Sequence, residues 1–171
     1  LEESRLKLVR TPDGKVVACN DIDYQGKPIV ASTVVGRDLS SEEWFQQIKG
    51  GKVGPATTWF EDPRIDPVTR EACGGNGYTL TFAEPIYDAQ GSVVRMWCNR
   101  TSWERVVGQI MGDLRGRLAN DGLTQVETQL LSKDGTLLED SDATRILAAN
   151  LADEGLIAAR KSLGLGSGYT L

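Results

Sequence analysis

The chain has 171 residues, enough for one or two domains, and its 40% apolar and 25% charged content is that of a globular chain that buries a core without metals or disulfides. Twenty-four acids against 19 Lys and Arg give a net charge of −5, which speaks against a general binder of nucleic acid or anionic membranes. Histidine is absent, and with it go the usual neutral-pH general base, Ser-His-Asp triads, Cys-His dyads and imidazole metal sites.

Residues 6–9 alternate, Thr11-Pro12-Asp13-Gly14 turns, and residues 15–19 are again β-prone, a pattern that predicts a hairpin. Residues 21–39 read mostly as loop, with a short strand over 29–33. Ser40 with Glu43 three places on makes a capping box, predicting a helix to about Lys49 that stops at Gly50-Gly51. Residues 57–60 predict a short strand and 61–76 a polar loop. Residues 78–87 alternate, with Tyr78, Leu80 and Phe82 on one side, Thr79, Thr81 and Ala83 on the other, and Pro85 marking a bulge or edge.

Asp88-Ala89-Gln90-Gly91 turns the chain into a returning strand over 92–99. There Val94, Met96 and Cys98 share one face, and Val93, Arg95, Trp97 and Asn99 the other. Thr101 and Glu104 make a second capping box, and apolar residues at 103, 106, 107, 110, 111, 114 and 118 predict a helix ending near Asn120-Asp121-Gly122. Residues 126–138, turning at Lys133-Asp134-Gly135, repeat the first hairpin. Asp142 is expected to cap a helix through about Asp153, stopped by Gly155. Residues 164–168 read as loose, lacking the strand and lysine of a phosphate loop, and 169–171 as the start of a strand.

The order of these parts carries a resemblance. An Asp-Gly hairpin precedes Gly36-Arg37-Asp38 and a Trp44-Phe45 helix. A variable loop, the stretch Pro85-Ile86-Tyr87-Asp88-x-x-Gly91-x-Val93-Val94, a long helix and a second Asp-Gly hairpin follow. This arrangement resembles the double Cache (PAS-like) ligand-binding domain of bacterial transmembrane receptors, above all methyl-accepting chemotaxis proteins. The resemblance implies an α+β fold, an antiparallel sheet with helices packed on one face and small ligands against the other. It implies a membrane-distal, ligand-binding module over residues 1–120 and part of a second, similar module over 121–171.

It further implies a missing first helix and missing last strands, which agrees with a chain that begins at Leu and has neither a signal peptide nor an apolar run of the roughly 18 residues that span a bilayer. In amino-acid-binding members an Arg two positions before a Trp-Tyr pair grips the ligand carboxylate. Here Glu42 stands there and Phe45 replaces the Tyr, so a standard α-amino acid is not the expected ligand. A late-strand acid that grips the ammonium is matched best by Asn99, and a loop contact by Asp62.

The candidate ligand-binding residues are Trp44, Phe45, Trp59, Asp62, Arg64, Tyr78, Trp97, Asn99 and Arg100. Aromatic rings give a pocket wall and, in Trp and Tyr, an orienting donor. Each of these rings is equally a core residue, and Trp44 with Leu39 fits a hydrophobic staple. The guanidinium forks of Arg64 and Arg100 suit a carboxylate, or are surface charges. Asp62 and Asp66 suit an amine or are solvated loop acids. A face carrying Arg95, Trp97 and Asn99 is either ligand-lined or half-solvated.

The cysteines lack a C-x-x-C spacing, so neither a zinc knuckle nor a thioredoxin-type centre is expected. Cys73 sits in a loop where it is open to reaction, while Cys19 and Cys98 read as small buried hydrophobes. The Asn99-Arg100-Thr101 sequon is better read as strand end and helix cap.

Three functions compete. The first is a periplasmic sensor of a small polar or anionic organic ligand, on a parent chain anchored in a bacterial inner membrane, with loop 61–77 closing on the ligand. Its output is chemotactic, or else that of a histidine kinase or diguanylate cyclase. The second is a hydrolase using Asp62, Asp66 and Glu84. The third is an interaction module that pairs as a homodimer. No cofactor, metal or nucleic acid is called for.

Overall fold

The computed structural model describes residues 4–152. The chain divides into two compact units, Leu1–Val106 and Val107–Leu171. The first unit is built on β1 (Ser4–Arg10), β2 (Val16–Cys19), β3 (Trp59–Ile65), β4 (Tyr78–Tyr87) and β5 (Val93–Ser102). These form one antiparallel sheet in the order β2-β1-β5-β4-β3. Helices α1 (Glu43–Lys49) and α2 (Pro67–Cys73) complete an α+β unit.

The β1–β2 hairpin forms where the alternation places it. Its turn needs a glycine: Gly14 has φ +98°, and a Cβ there would lie 2.5 Å from Ser40. Because side chains alternate along each strand, the register sorts the sheet into two faces. Leu6, Leu8, Ala83, Met96 and Cys98 bury on one face with Trp44, Phe45 and Ile48 of α1 and Val68 and Ala72 of α2. This is the core of the first unit, and truncating a ring such as Phe45 to Ala costs about 3–5 kcal/mol.

The structure corrects several local expectations. Residues 29–33 hold a 3-10 turn, Ala31–Thr33, in place of a strand. The first helix starts at Glu43 with Glu42 before it and no side-chain cap, so Ser40 does not cap. The short strand runs on from Trp59 to Ile65, and the supposed loop holds α2. The cause is local: Asp66 Oδ1 accepts from the Thr69 N–H, and Pro67 fills the first helical turn with its φ already set. A helix of seven residues has too few turns to show an apolar period.

In β5 the strand reaches Ser102, and the Thr101 hydroxyl has no partner while Glu104 accepts from Asn76 Nδ2, so the second capping box does not form. The helix α3 (Trp103–Asn120) follows as expected. Of its stripe, Trp103, Val107 and Met111 are buried, whereas Ile110 and Leu114 are exposed.

In the second unit a small hairpin pairs β6 (Leu130–Leu131) with β7 (Leu137–Glu139), and Leu137 buries with Leu151. Residues 142–152 hold turns and one bridge, Asn150 to Thr136, and Asp142 accepts from Thr144 in place of capping a helix. The expected stop at Gly155, the loose 164–168 segment and the 169–171 strand lie outside the described residues.

Candidate functional site

The covered face of the sheet carries an unusual cargo besides its apolar core. Arg10 on β1 and Arg100 on β5 are both fully buried, occupying the next inward positions after Leu8 and Cys98. On β3 a bulge between Glu61 and Arg64 breaks the alternation. Residues three apart, which a regular strand would point to opposite faces, thus come together, with Arg64 Nε 3.5 Å from Glu61 Oε2. Glu42, at the start of α1, and Asp66, capping α2, close the group from the helix side.

Arg100 organises these charges. Its Nη1 donates to Asp66 Oδ1 at 2.8 Å, and its Nη2 reaches both Glu42 oxygens, at 2.9 and 2.7 Å. Glu42 also accepts from Trp44 Nε1 at 2.7 Å and from Arg64 Nη2 at 3.3 Å. Arg64, at the rim with 40% of its side chain exposed, lies 3.4 Å from Asp66 Oδ2. Glu61 Oε1 accepts the backbone N–H of Trp44, tying β3 to the first turn of α1.

Burial works against the Glu42 carboxylate, but Arg100, Arg10 and the Trp44 indole outweigh it and hold its pKa below the ordinary range. Burial raises that of Glu61, whose partner Arg64 offsets it only in part. For Arg100, burial is outweighed by Cys98, Asp66 and Glu42, which raise its pKa.

Several buried polar atoms on this face have no hydrogen-bond partner: Arg10 Nε and Nη2, Arg100 Nε, Trp59 Nε1, Asp66 Oδ2, Glu61 Oε2 and the Thr69, Thr79 and Thr81 hydroxyls. Buried polar groups are normally satisfied, so a concentration of spare donors and acceptors marks a place that a polar molecule or water completes. The mixture of fixed charges with unused donors can orient a small polar molecule.

The opposite face holds a cleft. Thr58, Phe82, Glu84, Trp97 and Asn99 line a cleft of about 280 Å³. Thr58 Oγ1 donates to Glu84 at 3.0 Å, and Trp97 is 38% exposed.

The nine candidates therefore divide. Trp44, Phe45, Trp59, Arg64 and Arg100 stand on the covered face, and both Trp44 and Phe45 are fully buried, packed edge to face. Trp97 and Asn99 line the cleft of the other face. Tyr78 is buried against Trp103, their ring centroids 6.4 Å apart. Asp62 is exposed. Asn99 is 92% buried, which rules its amide out as an open sequon.

The acids offered for hydrolysis do not converge: Asp66 is committed to Arg100, Asp62 is exposed and Glu84 stands on the far face. Cys73 is half-buried and its thiol is pushed up to about 11 by burial, as is that of buried Cys98, which makes both poor nucleophiles at neutral pH. Cys19 is half-buried, not fully so.

Sequence reasoning passed over Arg10, Glu61 and the part played by Glu42. The available signal for Arg10 was a charge at the next alternate position after Leu6 and Leu8. For Glu42 it was an acid beside the Trp44-Phe45 pair, and Glu61 was hidden by the bulge.

No family model matches the chain, and no curated protein matches it by sequence. Its structure is similar to that of an extracellular ligand-binding receptor from Desulfohalobium retbaense, with a TM-score of 0.65 and 18% identity over 97% of this chain and 25% of that one. It is also similar to the ligand-binding domain of the Pseudomonas aeruginosa amino acid chemoreceptor PctC, solved in complex with GABA. There the TM-score is 0.54, with 17% identity over 87% of this chain and 54% of that one. A domain of a sensory box/GGDEF family protein from Vibrio parahaemolyticus gives a TM-score of 0.66 with 12% identity, over 99% of this chain and 63% of that one. The chain thus spans from a quarter to under two-thirds of these proteins' lengths, and the likeness establishes the fold: an antiparallel sheet with flanking helices of the Cache, PAS-like kind.

Proposed function

We propose that this chain is the ligand-recognition part of a sensor domain, displayed on the outer side of a bacterial inner membrane, that binds a small polar or anionic organic molecule without transforming it. The observation that carries this reading is the buried shell of unused hydrogen-bonding atoms around Arg10, Trp59, Glu61, Asp66 and Arg100, held between a sheet and two short helices. The fold is that of extracellular ligand-binding domains, including one that binds GABA. A chemoreceptor parent fits this, and so does a histidine kinase or cyclase parent.

In this reading residues 1–120 form the ligand-binding module and 121–171 begin a second one of similar design, the β6–β7 hairpin echoing β1–β2. Two copies pairing as a homodimer belong to the same picture. Ligand would act by binding one arrangement of α1, α2 and the 61–77 segment better than another, and the signal energy is limited to that difference in affinity.

A thermal-shift screen of organic acids, amines, purines and amino acids tests it. A sensor gains stability by mass action, about 2.7 kcal/mol at a hundred times the Kd. Turnover of a carbohydrate with no such shift would reverse the reading.

A further inference from the structure

We infer that Arg10 is the residue that grips the ligand, by a side-on pair of hydrogen bonds to a carboxylate. The inference rests on the sensor reading above and narrows its ligand to small organic acids.

Arg10 is fully buried and faces only the interior. Its relative exposure is 0%, and its guanidinium lies 4.2 Å from the centroid of the Trp44 ring. Only Nη1 is engaged, donating to the Leu39 carbonyl at 3.3 Å. Nε and Nη2 have no partner. These two nitrogens share one edge of the planar group, and their N–H bonds run parallel at the spacing of two carboxylate oxygens. The vacant edge is thus the one suited to two-point recognition.

Each neighbouring acid already has a cation other than Arg10. Glu42 is held by Arg100, Trp44 and Arg64; Asp66 by Arg100 and the Thr69 N–H; Glu61 by the Trp44 N–H and Arg64. Among the described residues no carboxylate stands within ion-pair distance of Arg10. Glu42 and Asp66 act on Arg10 only from beyond that distance, so its buried guanidinium has an attractive field but no carboxylate on its free edge, where a buried charge is normally paired directly. Burial draws its pKa down to about 10, so it stays a cation at neutral pH. Trp44 beneath the plane offers a cation–π contact, which leaves the in-plane edge free. The resemblance expects the carboxylate-gripping arginine two places before Trp44, where Glu42 stands bonded to Arg100. The fork that remains free comes from the first strand instead.

The test is a thermal-shift and calorimetric comparison of small carboxylates (acetate, lactate, succinate, benzoate) with their amides and with primary amines. It is run on the whole chain, on Arg10→Lys and on Arg10→Met. Expected are stabilisation by acids but not by their amides, an affinity at least about tenfold weaker in Arg10→Lys, and no acid response in Arg10→Met. Arg10→Lys keeps the buried charge, so a lost acid response there with the ligand-free melting point unchanged separates recognition from folding. Acid binding unchanged in Arg10→Lys or Arg10→Met overturns the inference. Stabilisation by amines or amides alone overturns it while leaving the sensor reading intact. Silence from every compound overturns both.

Discussion

On β5, Cys98 and Arg100 bury on the helix-covered face while Trp97 and Asn99 line the open one, so residues one step apart meet opposite physics. On the covered side three arginines and three acids are brought together under α1 and α2, and each charge depends on its neighbours. On the open side Thr58 and Glu84 make one exposed hydrogen bond, and the indole of Trp97 is over a third exposed. The difference teaches that charge type says little about energetic weight: desolvation decides it, and desolvation follows from which way a strand residue points.

Breaking the covered side should have the largest effect. Arg100→Met strands Glu42 and Asp66 without their main counterion, and a loss of about 3–5 kcal/mol in urea unfolding is expected. A loss below 1 kcal/mol would erase the contrast between the faces. Gly77→Ala comes next: φ is +73° there, and a Cβ would stand 2.6 Å from the Asp66 carbonyl. The clash would move Asp66 off Arg100, and a cost of about 1–3 kcal/mol is expected from unfolding curves.

Acid titration sharpens the comparison within the covered side. The folded pKa of Glu42 lies below its unfolded value, so its contribution is present above about pH 4.3 and is lost as pH falls through the lower folded value. Glu61 has the reverse sign: its raised folded pKa is a cost at neutral pH that is relieved as pH falls through that value. Urea midpoints between pH 3 and 7 should therefore show Glu42→Gln converging on the parent in acid from below. Glu61→Gln should exceed the parent at neutral pH and converge on it from above; parallel curves would refute both assignments. The smallest effect belongs to the open face, where Thr58→Val should shift stability by no more than about 0.5 kcal/mol.

Much of the scaffold was legible in the sequence. Alternation located β4 to the residue, and Pro-Asp-Gly located the first hairpin, because both signals are local. The charged site was far less so. Arg100 was a candidate on chemical grounds, but its partners Glu42 and Asp66 lie 58 and 34 residues away. Arg10 meets Trp44 only because the sheet order sets β1 beside β5 under α1. Glu61 and Arg64 share a face only because a bulge shifts the count. Asn99 and Arg100, both candidates, fall on opposite faces because a step of one along a strand reverses the side.

The strand order has a consequence for synthesis. β1 is made well before its inner neighbour β5, with Leu8 paired to Cys98 some ninety residues later. At about 5–20 residues per second, the nascent β1–β2 hairpin waits roughly 5 to 20 seconds with one edge unpaired. Two strands alone are marginal in water, and an unpaired apolar edge invites pairing with other chains. The domain therefore closes late, when β5 slides between β1 and β4, and until then it depends on whatever shields nascent chains in the cell.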